Sequence, residues 1–339
     1  MRKSARGPLH TCLAVTGAYV GAVVGGGFAT GREVLHFFAI DGAGSLAALA
    51  VGLVGFAGFG AALMLVIVAR RVRSLRDAVA LFSRSPQTQK LFDTALFLFY
   101  LVVIGVVMSA SAALAAGHGL QPALGVAIMA GSIVLVTRSG TIALLTVNTI
   151  LLVVLTATIL ITALRLGAPF PVLNYELAAT GPSVSPLLYV SYNMIFALSV
   201  FPDLGREGDS SWAVMGATCG GLILGLLVWA EWRIMVQVLQ HVAGLNVPLE
   251  AAIELLAPEA GRFFPLLIGL SLLTTGAALT RGLASRFGER QRPRVHVLGV
   301  ILLPAIALAR FDLASLVATV YPLMGWLTLL FWLQIFRQW

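Results

Sequence analysis

The segment that decides the fold runs from Gly17 to Phe38 and reads GAYVGAVVGGGFATGREVLHFF. It is almost entirely apolar, yet the run Gly25–Gly27 lies at its centre. Each glycine makes a helix less stable by about 1 kcal/mol than alanine does, so the helix is predicted to break at this run. An alternative pattern is also present, because Gly17, Gly21 and Gly25 recur every fourth residue, as in a stripe of close helix packing.

The composition predicts the environment of the chain. Of its 339 residues, 59% are hydrophobic and only 11% are charged, whereas soluble domains are about half apolar and a quarter charged. The formal charge of +8 is typical of nucleic-acid binding in a soluble protein. Here, however, the basic residues lie between hydrophobic segments, as membrane topology requires. We therefore expect an all-α polytopic membrane protein in contact with lipid and without a nucleic-acid partner. Cys12 and Cys219 are too few for a disulfide framework.

Ten apolar segments are long enough to cross a bilayer, which takes about 20 residues in a helix. Alternating strand patterns are absent, so helices must satisfy the backbone hydrogen bonds in lipid. We expect one membrane domain over residues 1–339, with five crossings in residues 10–164 and five in residues 185–337. The predicted crossings are Cys12–Ala39, Ser45–Ala69, Leu91–Ala116, Pro122–Val136, Thr141–Leu164, Ser185–Leu204, Trp212–Leu239, Arg262–Leu283, Val295–Ala309 and Leu313–Phe336.

The basic residues predict the orientation in the membrane. Most of the 22 Lys and Arg residues precede the first segment or lie in connectors that share its side, above all in residues 70–90 and 281–294. Cytoplasmic loops carry the excess of Lys and Arg, so both termini are expected in the cytoplasm, with the chain in the cell membrane. The first apolar run is too long for a signal peptide and is interpreted as an uncleaved helix.

Two connectors have helical patterns of their own. Residues 70–84 place apolar side chains opposite arginines, which predicts an amphipathic helix at the membrane interface. Residues 246–265 place three glutamates between apolar residues, which indicates a short helix at the outer face. Among the other polar residues, Glu231 is interpreted as an interfacial anchor, and His118 in a short outer loop is assigned no role.

A second interruption is predicted in segment six, which reads YVSYNMIFALSVFPDLGRE from Tyr189 to Glu207. Pro202 lacks a backbone donor and clashes with the preceding turn, so the helix should deform around Ala197–Val200. Segments one and six are each the first of a group of five. Interrupted helices at matching places in two repeats are typical of the central site of a transporter.

At this point the sequence resembles a known family. The stretch GAVVGGGFATGREVLHFF, the ten-segment count and the stretch SYNMIFALSVF are similar to those of the YkvI-like family of amino-acid permeases. That family is similar to the amino acid–polyamine–cation superfamily, which has the LeuT-type five-plus-five inverted repeat with discontinuous helices 1 and 6. The resemblance covers essentially the whole chain. It implies secondary active transport of a small amino acid or similar zwitterion by alternating access.

The resemblance also implies a sodium site. The carbonyls of Gly21 and Val24 match the broken first helix of the LeuT-type pattern. A helix-eight carbonyl followed three and four residues later by two hydroxyls completes that pattern, and Ser271, Thr274 and Thr275 fit the spacing. Five oxygens without a full charge suit Na⁺, a hard cation that must bind weakly enough to leave again. The alternative is that both threonines bond back to their own helix.

The coupling ion follows from the same comparison. The positions of a second sodium site hold Ala22 and Ala197, so that site is expected to be missing. Proton-coupled relatives carry a lysine on helix five, and segment five has none. Coupling to one Na⁺ is therefore predicted, and no other cofactor. Proton coupling stays open, because Glu33, His36 or Glu231 could carry a proton.

The resemblance places the solute at the breaks. Backbone N–H groups of Gly25, Gly26 and Gly27 are expected to receive a carboxylate. Such a pocket is small and apolar, which favours a small neutral zwitterion over a polyamine or dicarboxylate. Helix packing is the alternative role for each side chain assigned to this pocket. Those side chains are Phe196, Leu198 and Ser199 on segment six and Met108, Ser109 or Ser111 on segment three.

A charged pair is expected to close the outer side. Arg32 lies just beyond the predicted break, and Asp312 begins segment ten. By analogy with the LeuT-type pattern, an Arg32–Asp312 pair would form an outer gate. The alternative is that Arg32 pairs locally or extends to the membrane interface.

Catalysis is not expected. The chain contains neither the His-Glu-x-x-His and Gly-x-Ser-x-Gly motifs nor the cysteine–histidine spacing of a metal site, and its triple glycine lies within a membrane span. The principal alternative to transport is a membrane-embedded solute sensor that keeps the same binding site and moves nothing.

Overall fold

The computed structural model describes residues 7–40, 46–72, 74–82, 85–139, 141–167, 184–205, 210–288 and 293–337. These residues form helices and short connections and contain no strand. The basic residues at positions 2, 3 and 6 lie outside the described residues.

Ten helical segments follow one another along the chain, and we number them helix 1 to helix 10. Helix 1 consists of helix 1a and helix 1b, the latter formed by three short pieces in succession. The bounds are Pro8–Val23 for helix 1a and Gly26–Thr30, Arg32–Val34 and the π-helical Leu35–Ile40 for helix 1b. The others are Leu46–Ala69, Pro86–Gly117, Pro122–Ser139, Thr141–Arg165, Ser185–Gly205, Ser210–Gln237, Phe264–Arg286, Val295–Leu308 and Leu313–Arg337 for helices 2 to 10.

Eight helices in the described ranges are long and apolar enough to cross a membrane, namely helices 2 to 8 and helix 10. Helix 1a and helix 9 are shorter apolar helices. Helix 1b extends helix 1a to a full crossing, so the count agrees with the ten segments expected from the sequence. The all-α architecture predicted above is confirmed.

The break in helix 1 is confirmed. Helix 1a ends at Val23, and Gly25 takes an extended conformation with φ −124° and ψ −160° before helix 1b begins. Gly31 bends helix 1b again with φ +73°, a left-handed conformation that side chains other than glycine rarely adopt. A Cβ at Gly31 would also lie 2.5 Å from the Cβ of Leu249, so the short outer helix packs directly on this bend.

Helix 6 differs from the prediction, because it is one continuous helix from Ser185 to Gly205. The deformation expected around Ala197–Val200 is absent. Pro202 removes only the hydrogen bond to the carbonyl of Leu198, and it lies three residues before the helix ends. The remaining turns hold the helix together at this point, so the discontinuity is confined to helix 1.

The helices form two packed groups. Helices 1, 2, 6 and 7 pack against one another, with the closest association between helix 7 and helices 1a and 2. Helices 3, 4, 8 and 9 form the second group, and helix 1b packs against helix 8 across the boundary. Helix 5 contacts helices 7 and 8, and helix 10 contacts helices 3 and 6. The break in helix 1 therefore lies between the two groups.

Both connector predictions are confirmed as helices. Leu75–Phe82 is helical between helices 2 and 3, with Ala78 and Val79 buried. At the other side of the molecule, Pro248–Leu256 and Pro258–Gly261 form two short helices between helices 7 and 8. Leu239–Val242 adds one turn directly after helix 7.

Candidate functional site

A cavity of about 450 Å³ lies at the boundary of the two helix groups. The break in helix 1 forms one wall, from Gly17 through Gly27. Helices 3, 5, 6, 8 and 10 contribute side chains, about half of which are apolar. They are Val103 on helix 3, Asn148, Thr149 and Leu152 on helix 5, Asn193, Phe196, Ser199 and Val200 on helix 6, Thr274, Thr275, Ala278 and Leu279 on helix 8, and Tyr321 on helix 10.

The cavity extends toward the side of the membrane on which helix 1a begins. The lining residues of helices 6 and 8 extend from near the middle of each helix toward its C-terminal end, and those of helix 5 lie in its first half. These helix ends all face the side of the N-terminal end of helix 1a. On helix 1b the lining includes only Gly26, Gly27, Phe28 and Glu33, which mark the opposite end of the cavity.

Two of the three glycine N–H groups assigned to a carboxylate already have partners. The N–H of Gly26 donates a 2.9 Å hydrogen bond to Oγ1 of Thr275 on helix 8. The N–H of Gly25 donates to the carbonyl of Val23, also at 2.9 Å. All three glycines line the cavity, so a ligand carboxylate would have to displace these bonds at two of them.

The predicted sodium ligands fall into two sets. Gly21, Thr274 and Thr275 line the cavity, whereas Val24 and Ser271 are buried outside its lining. The hydroxyl of Thr274 donates to the carbonyl of Ser271 at 3.1 Å, which leaves its lone pairs available. The hydroxyl of Thr275 accepts from Gly26 and retains one lone pair. The residues present thus offer uncharged oxygen atoms between helix 1 and helix 8, a donor set that fits a hard monovalent cation.

The predicted solute residues of helix 6 are only partly in the cavity. Phe196 lines it, and its ring lies nearly parallel to that of Tyr100, with the centroids 6.2 Å apart. Ser199 also lines it, but its hydroxyl donates to the carbonyl of Phe196 at 2.6 Å. Leu198 is buried outside the lining, because a helix presents neighbouring positions about 100° apart to different surroundings.

The residues assigned on helix 3 lie outside the cavity lining. Met108 is fully buried, the hydroxyl of Ser109 donates to the carbonyl of Phe311 at 2.9 Å, and that of Ser111 donates to the carbonyl of Met108 at 2.8 Å. Helix 3 reaches the cavity instead through Val103. Five residues of helix correspond to about 7.5 Å along the axis, so the prediction placed the cavity too near the outer end.

The proposed gate pair is not formed in this structure. The guanidinium of Arg32 donates to the carbonyls of Ala243 and Leu245, at 2.8 and 3.0 Å, in the segment after helix 7. Asp312 accepts from the backbone N–H of Ser315 at 3.2 Å and so caps the start of helix 10. The two charges still interact electrostatically. Arg32 therefore fastens helix 1b to the outer segment, and its pairing with Asp312 stays a prediction.

Glu33 has a specific environment at the end of the cavity. Its side chain is buried, and Oε2 accepts a 2.6 Å hydrogen bond from the hydroxyl of Tyr192. Gly27 lies directly beside Oε1, so that any side chain at position 27 would overlap the carboxyl group. His36 is half-buried outside the cavity lining, and its ring packs edge-on against Phe37 at 4.9 Å.

The interpretation of Glu231 as an interfacial anchor is wrong. Its side chain is completely buried in helix 7, and neither carboxyl oxygen has a hydrogen-bond partner. The sequence shows only that Glu231 precedes Trp232 and Arg233 near a helix end, a pattern that equally describes an interface. Burial depends on how helix 7 packs against its neighbours, which include helices 1a, 1b, 2 and 5.

Sequence reasoning missed several polar residues of the cavity. Asn148 and Thr149 on helix 5, Asn193 on helix 6 and Tyr321 on helix 10 all line it. Asn193 is 2% exposed and donates to the carbonyl of Tyr189 at 2.9 Å. The sequence does point to Asn148 and Asn193. An amide side chain within an apolar crossing is energetically costly unless it faces protein or a wet cavity.

His118 also has a partner, although the sequence assigned it no role. Its Nε2 lies 2.7 Å from Oε1 of Glu250 on the short outer helix. Burial raises the pKa of the Glu250 carboxyl, and the hydrogen bond and charge of His118 offset part of that rise. The contact joins the connection between helices 3 and 4 to the segment that lies over helix 1b.

Comparisons with known proteins agree with this architecture. No family model matches the chain. It is 24% identical over 323 residues to the uncharacterized membrane protein YkvI of Bacillus subtilis strain 168, with 92% of each chain covered. It is 22% identical over 315 residues to the uncharacterized protein YyaD of the same organism, with 91% of each covered. Among solved structures it resembles the inward-facing conformation of Mhp1, with a TM-score of 0.63 and 14% identity over 95% of this chain and 73% of that one.

These findings establish the fold and the class of protein. The similarity to YkvI and YyaD extends over nearly the whole chain, but neither name indicates a solute. The likeness to Mhp1 shows the LeuT-type fold, in agreement with the interrupted helix 1 and the two helix groups. The chain is a multi-pass membrane protein with the LeuT-type fold.

Proposed function

We propose that this protein is a secondary transporter that moves a small amino acid or similar zwitterion by alternating access, coupled to one sodium ion. The observation that carries the proposal is the break in helix 1, which forms a wall of a cavity between two separately packed helix groups. Interrupted backbone at membrane depth is tolerated only where it lies against protein or a wet cavity. Such a break is costly and has no packing purpose that an intact helix would not serve better.

The cavity fits the proposed solute class. Its volume of about 450 Å³ lies within the range of small-molecule sites, about 300–1,000 Å³. The wall is mostly apolar surface, and its polar groups come from the break and Glu33 on helix 1 and from side chains of helices 5, 6, 8 and 10, among them Asn148 and Asn193. A zwitterion with a small side chain matches this mixture, whereas a polyamine or dicarboxylate would require more charged partners. The carboxylate of the solute is assigned to the N–H groups at Gly25–Gly27.

Sodium is assigned to the oxygen atoms between helix 1 and helix 8. Gly21, Val24 and Ser271 would contribute carbonyls, and Thr274 and Thr275 would contribute hydroxyls. The support for this assignment is that the two threonine hydroxyls share the cavity wall with Gly21. An ion at this place would hold helix 1a against helix 8, so its presence and that of the solute would favour the same arrangement of the two groups.

Alternating access follows from the two groups. Helices 1, 2, 6 and 7 would move against helices 3, 4, 8 and 9 and expose the cavity to either side in turn. The bonds from Arg32 to Ala243 and Leu245 support a role of Arg32 in closing the outer side, with Asp312 proposed as an additional partner during the movement. The excess of basic residues in the connectors supports a cytoplasmic position of both termini in a cell-membrane protein, which is part of the proposal.

Thermal unfolding of the purified protein against a panel of amino acids, with and without sodium, tests this function. A ligand that binds only the folded state stabilises it by RT ln(1 + [L]/Kd), so a ligand at about 100 times its Kd adds about 2.7 kcal/mol. Stabilisation by an amino acid only in sodium supports both the solute and the ion. Stabilisation without sodium supports proton coupling instead, which the position of Glu33 in the cavity wall favours.

Uptake into liposomes separates a transporter from a sensor. We expect accumulation of the stabilising amino acid when a sodium gradient is imposed, and none in empty liposomes. Binding without any uptake, in liposomes that hold correctly folded protein, would contradict transport and support the sensor. Absence of stabilisation by every amino acid of the panel would contradict the solute assignment.

A further inference from the structure

Two glutamates are buried together at the outer end of the cavity. Glu33 on helix 1b is 6% exposed and Glu231 on helix 7 is 0% exposed, and these two elements pack against each other. Within the described part of the chain, Glu33 is the charged group that acts on Glu231. Glu33 lines the cavity and Glu231 does not, so only the first carboxyl has direct access to the cavity water.

Three tyrosines surround the two carboxyls. Tyr192 donates to Oε2 of Glu33 at 2.6 Å, and the buried Tyr321 interacts electrostatically with the same carboxyl. Tyr189 lies close to both glutamates, and its buried hydroxyl has no hydrogen-bond partner. Both carboxyl oxygens of Glu231 likewise have none. The pair thus consists of one carboxyl without a hydrogen-bond partner and one that accepts from Tyr192, and the unpaired hydroxyl of Tyr189 lies within electrostatic range of both.

The surrounding charges do not neutralise this pair. Neither glutamate forms an ion pair with any residue that the structure describes. Arg32 donates to Ala243 and Leu245, and Arg233 donates to the carbonyls of Leu166 and Gly167. The described side chains of the elements around the pair include many titratable groups. They are His10, Cys12, Tyr19, Arg32 and His36 on helix 1, Arg165 on helix 5, Tyr189, Tyr192 and Asp203 on helix 6, Cys219 and Arg233 on helix 7, Tyr321 on helix 10 with Asp312 just before it, and His241, Glu250, Glu254, Glu259 and Arg262 in the outer segments.

Several of these groups are engaged elsewhere. Arg165 pairs with Glu259 at 2.8 Å, and Glu250 lies 2.7 Å from His118. The hydroxyl of Tyr19 donates to the carbonyl of Phe56 at 3.0 Å. His36 follows Glu33 by one helical turn, with its ring against Phe37. The described part of helix 2 carries no titratable side chain.

Burial without a neighbouring cation favours the neutral form of a carboxyl group, most strongly for Glu231, which also has no hydrogen-bond donor. Moving an ionised carboxylate out of water without a cation or hydrogen-bond donors is so costly that the group binds a proton instead. Two carboxyls close together add mutual repulsion when both are ionised. Their protons therefore belong to the pair and are released in two coupled steps.

We infer that Glu33 and Glu231 form a proton-binding pair, in which Glu33 exchanges a proton with the cavity and Glu231 holds one behind it. The hydroxyl of Tyr189 interacts electrostatically with both carboxyls but bonds to neither in this structure, so a side-chain movement is needed before it relays a proton between them. Proton binding stands independently of the transport proposal. Its role in coupling rests on that proposal, because a charge change at Glu33 alters the wall that the solute contacts.

Infrared spectroscopy of the full-length protein in ester-free detergent tests proton binding directly. Protonated carboxyl groups have a C=O stretching band that ionised carboxylates lack. At neutral pH we expect this band in the wild type, with one component lost in Glu231→Gln and another lost in Glu33→Gln. Glu259→Gln is the matched control, because that side chain is 67% exposed and pairs with Arg165. It should leave both components unchanged.

A second variant keeps the test informative if either glutamine variant fails to fold. Tyr192→Phe preserves the ring and removes only the hydroxyl that donates to Glu33. Loss of a donor to a carbonyl oxygen shifts its stretching band to higher frequency. We therefore expect the Glu33 component to shift and the Glu231 component to stay in place. Absence of a protonated-carboxyl band at neutral pH overturns the inference. So does a band that is unchanged in Glu231→Gln, Glu33→Gln and Tyr192→Phe.

The role in coupling has its own measurement. Thermal stabilisation by the amino acids of the panel is compared at acidic and alkaline pH for the wild type and Glu33→Gln. In the wild type we expect the Kd at acidic pH to differ from the Kd at alkaline pH. In Glu33→Gln we expect the two Kd values to be equal. An equal ratio of the two Kd values in both proteins overturns the coupling role while the transport proposal stands. Absence of any stabilising solute overturns the solute assignment, and the infrared band still supports the proton pair.

Discussion

The hydroxyl of Thr275 on helix 8 accepts a 2.9 Å hydrogen bond from the backbone N–H of Gly26 in the break of helix 1. This bond joins the two helix groups at the exact depth of the cavity. It also gives one of the freed backbone donors a partner, as a buried N–H requires. Thr275 consequently has a structural role that is separate from any role in binding an ion.

Thr275→Val should destabilise the protein. The valine has the same shape but no acceptor, so the buried N–H of Gly26 would lose its partner at a cost of about 1–3 kcal/mol. The measurement is the free energy of unfolding in a denaturant titration in detergent. Thr275→Ser retains the hydroxyl and is the matched control, with a smaller loss expected. Equal stability of the valine variant and the wild type would show that water or another group replaces the bond.

Thr274→Ala should remove the dependence on sodium without disturbing the Gly26 bond. The hydroxyl of Thr274 lines the cavity and bonds only to Ser271 of its own helix. Its loss removes one of the five proposed oxygen ligands and leaves helix packing intact. Thermal stabilisation by sodium chloride, compared with choline chloride at equal ionic strength, measures the effect. Sodium stabilisation that persists at wild-type strength would place the ion elsewhere.

Gly27→Ala should be poorly tolerated, because its new methyl group would overlap the carboxyl of Glu33. Tyr192 holds that carboxyl in place, so we expect a loss of about 1–3 kcal/mol, as in other overpacked sites. Unfolding in denaturant measures it. Gly17→Ala is the control, because it lines the same cavity and a Cβ there meets no atom within 4 Å. Similar losses in both variants would exclude the overlap as the cause.

Arg32→Ala should loosen the outer segment after helix 7. Each lost bond joins a charged donor to a carbonyl, and such bonds contribute about 1.5–3 kcal/mol. Hydrogen exchange of the amides in residues 239–247 should therefore accelerate by about tenfold or more. Arg310→Ala, an exposed arginine of the same outer side, serves as the control. Unchanged exchange in the Arg32 variant would mean that the short outer helices hold the segment by themselves.

The contact of His118 with Glu250 predicts a pH dependence of stability. Burial raises the pKa of Glu250 in the folded state, with the bond to His118 as a smaller opposing effect. The folded state therefore binds this proton more tightly than the unfolded state, whose glutamates titrate at about pH 4.3. The associated stability is present below that pH and is lost as pH rises through the raised pKa.

Glu250→Gln should remove this part of the pH profile. As pH rises from about 4.3, the melting temperature of the wild type is expected to fall relative to that of the variant. Glu259→Gln, whose carboxyl is exposed and paired with Arg165, is the control. A difference that stays constant with pH, or one that moves in favour of the wild type, would contradict the sign derived from burial.

The sequence by itself determined the class of protein, the ten crossings and the break at Gly25–Gly27. These properties depend on composition and on local backbone preferences. A glycine run in a membrane helix weakens it wherever the helix packs, so no knowledge of the neighbours is needed. The same local reasoning overestimated Pro202, because one missing hydrogen bond near the end of helix 6 is tolerated by the turns around it.

Only the tertiary structure decided which polar groups meet. The periodicity of helix 3 cannot show that Val103, and not Met108, lies at the depth of the cavity, because that depends on how far each helix slides along its neighbours. The burial of Glu231 likewise follows from the packing of helix 7 against helices 1 and 2. A sequence pattern specifies one face of one helix, whereas a site is formed where faces of several helices converge at one level. That convergence arises from long-range packing, which is why Glu33 and Glu231, far apart in the chain, form one buried pair.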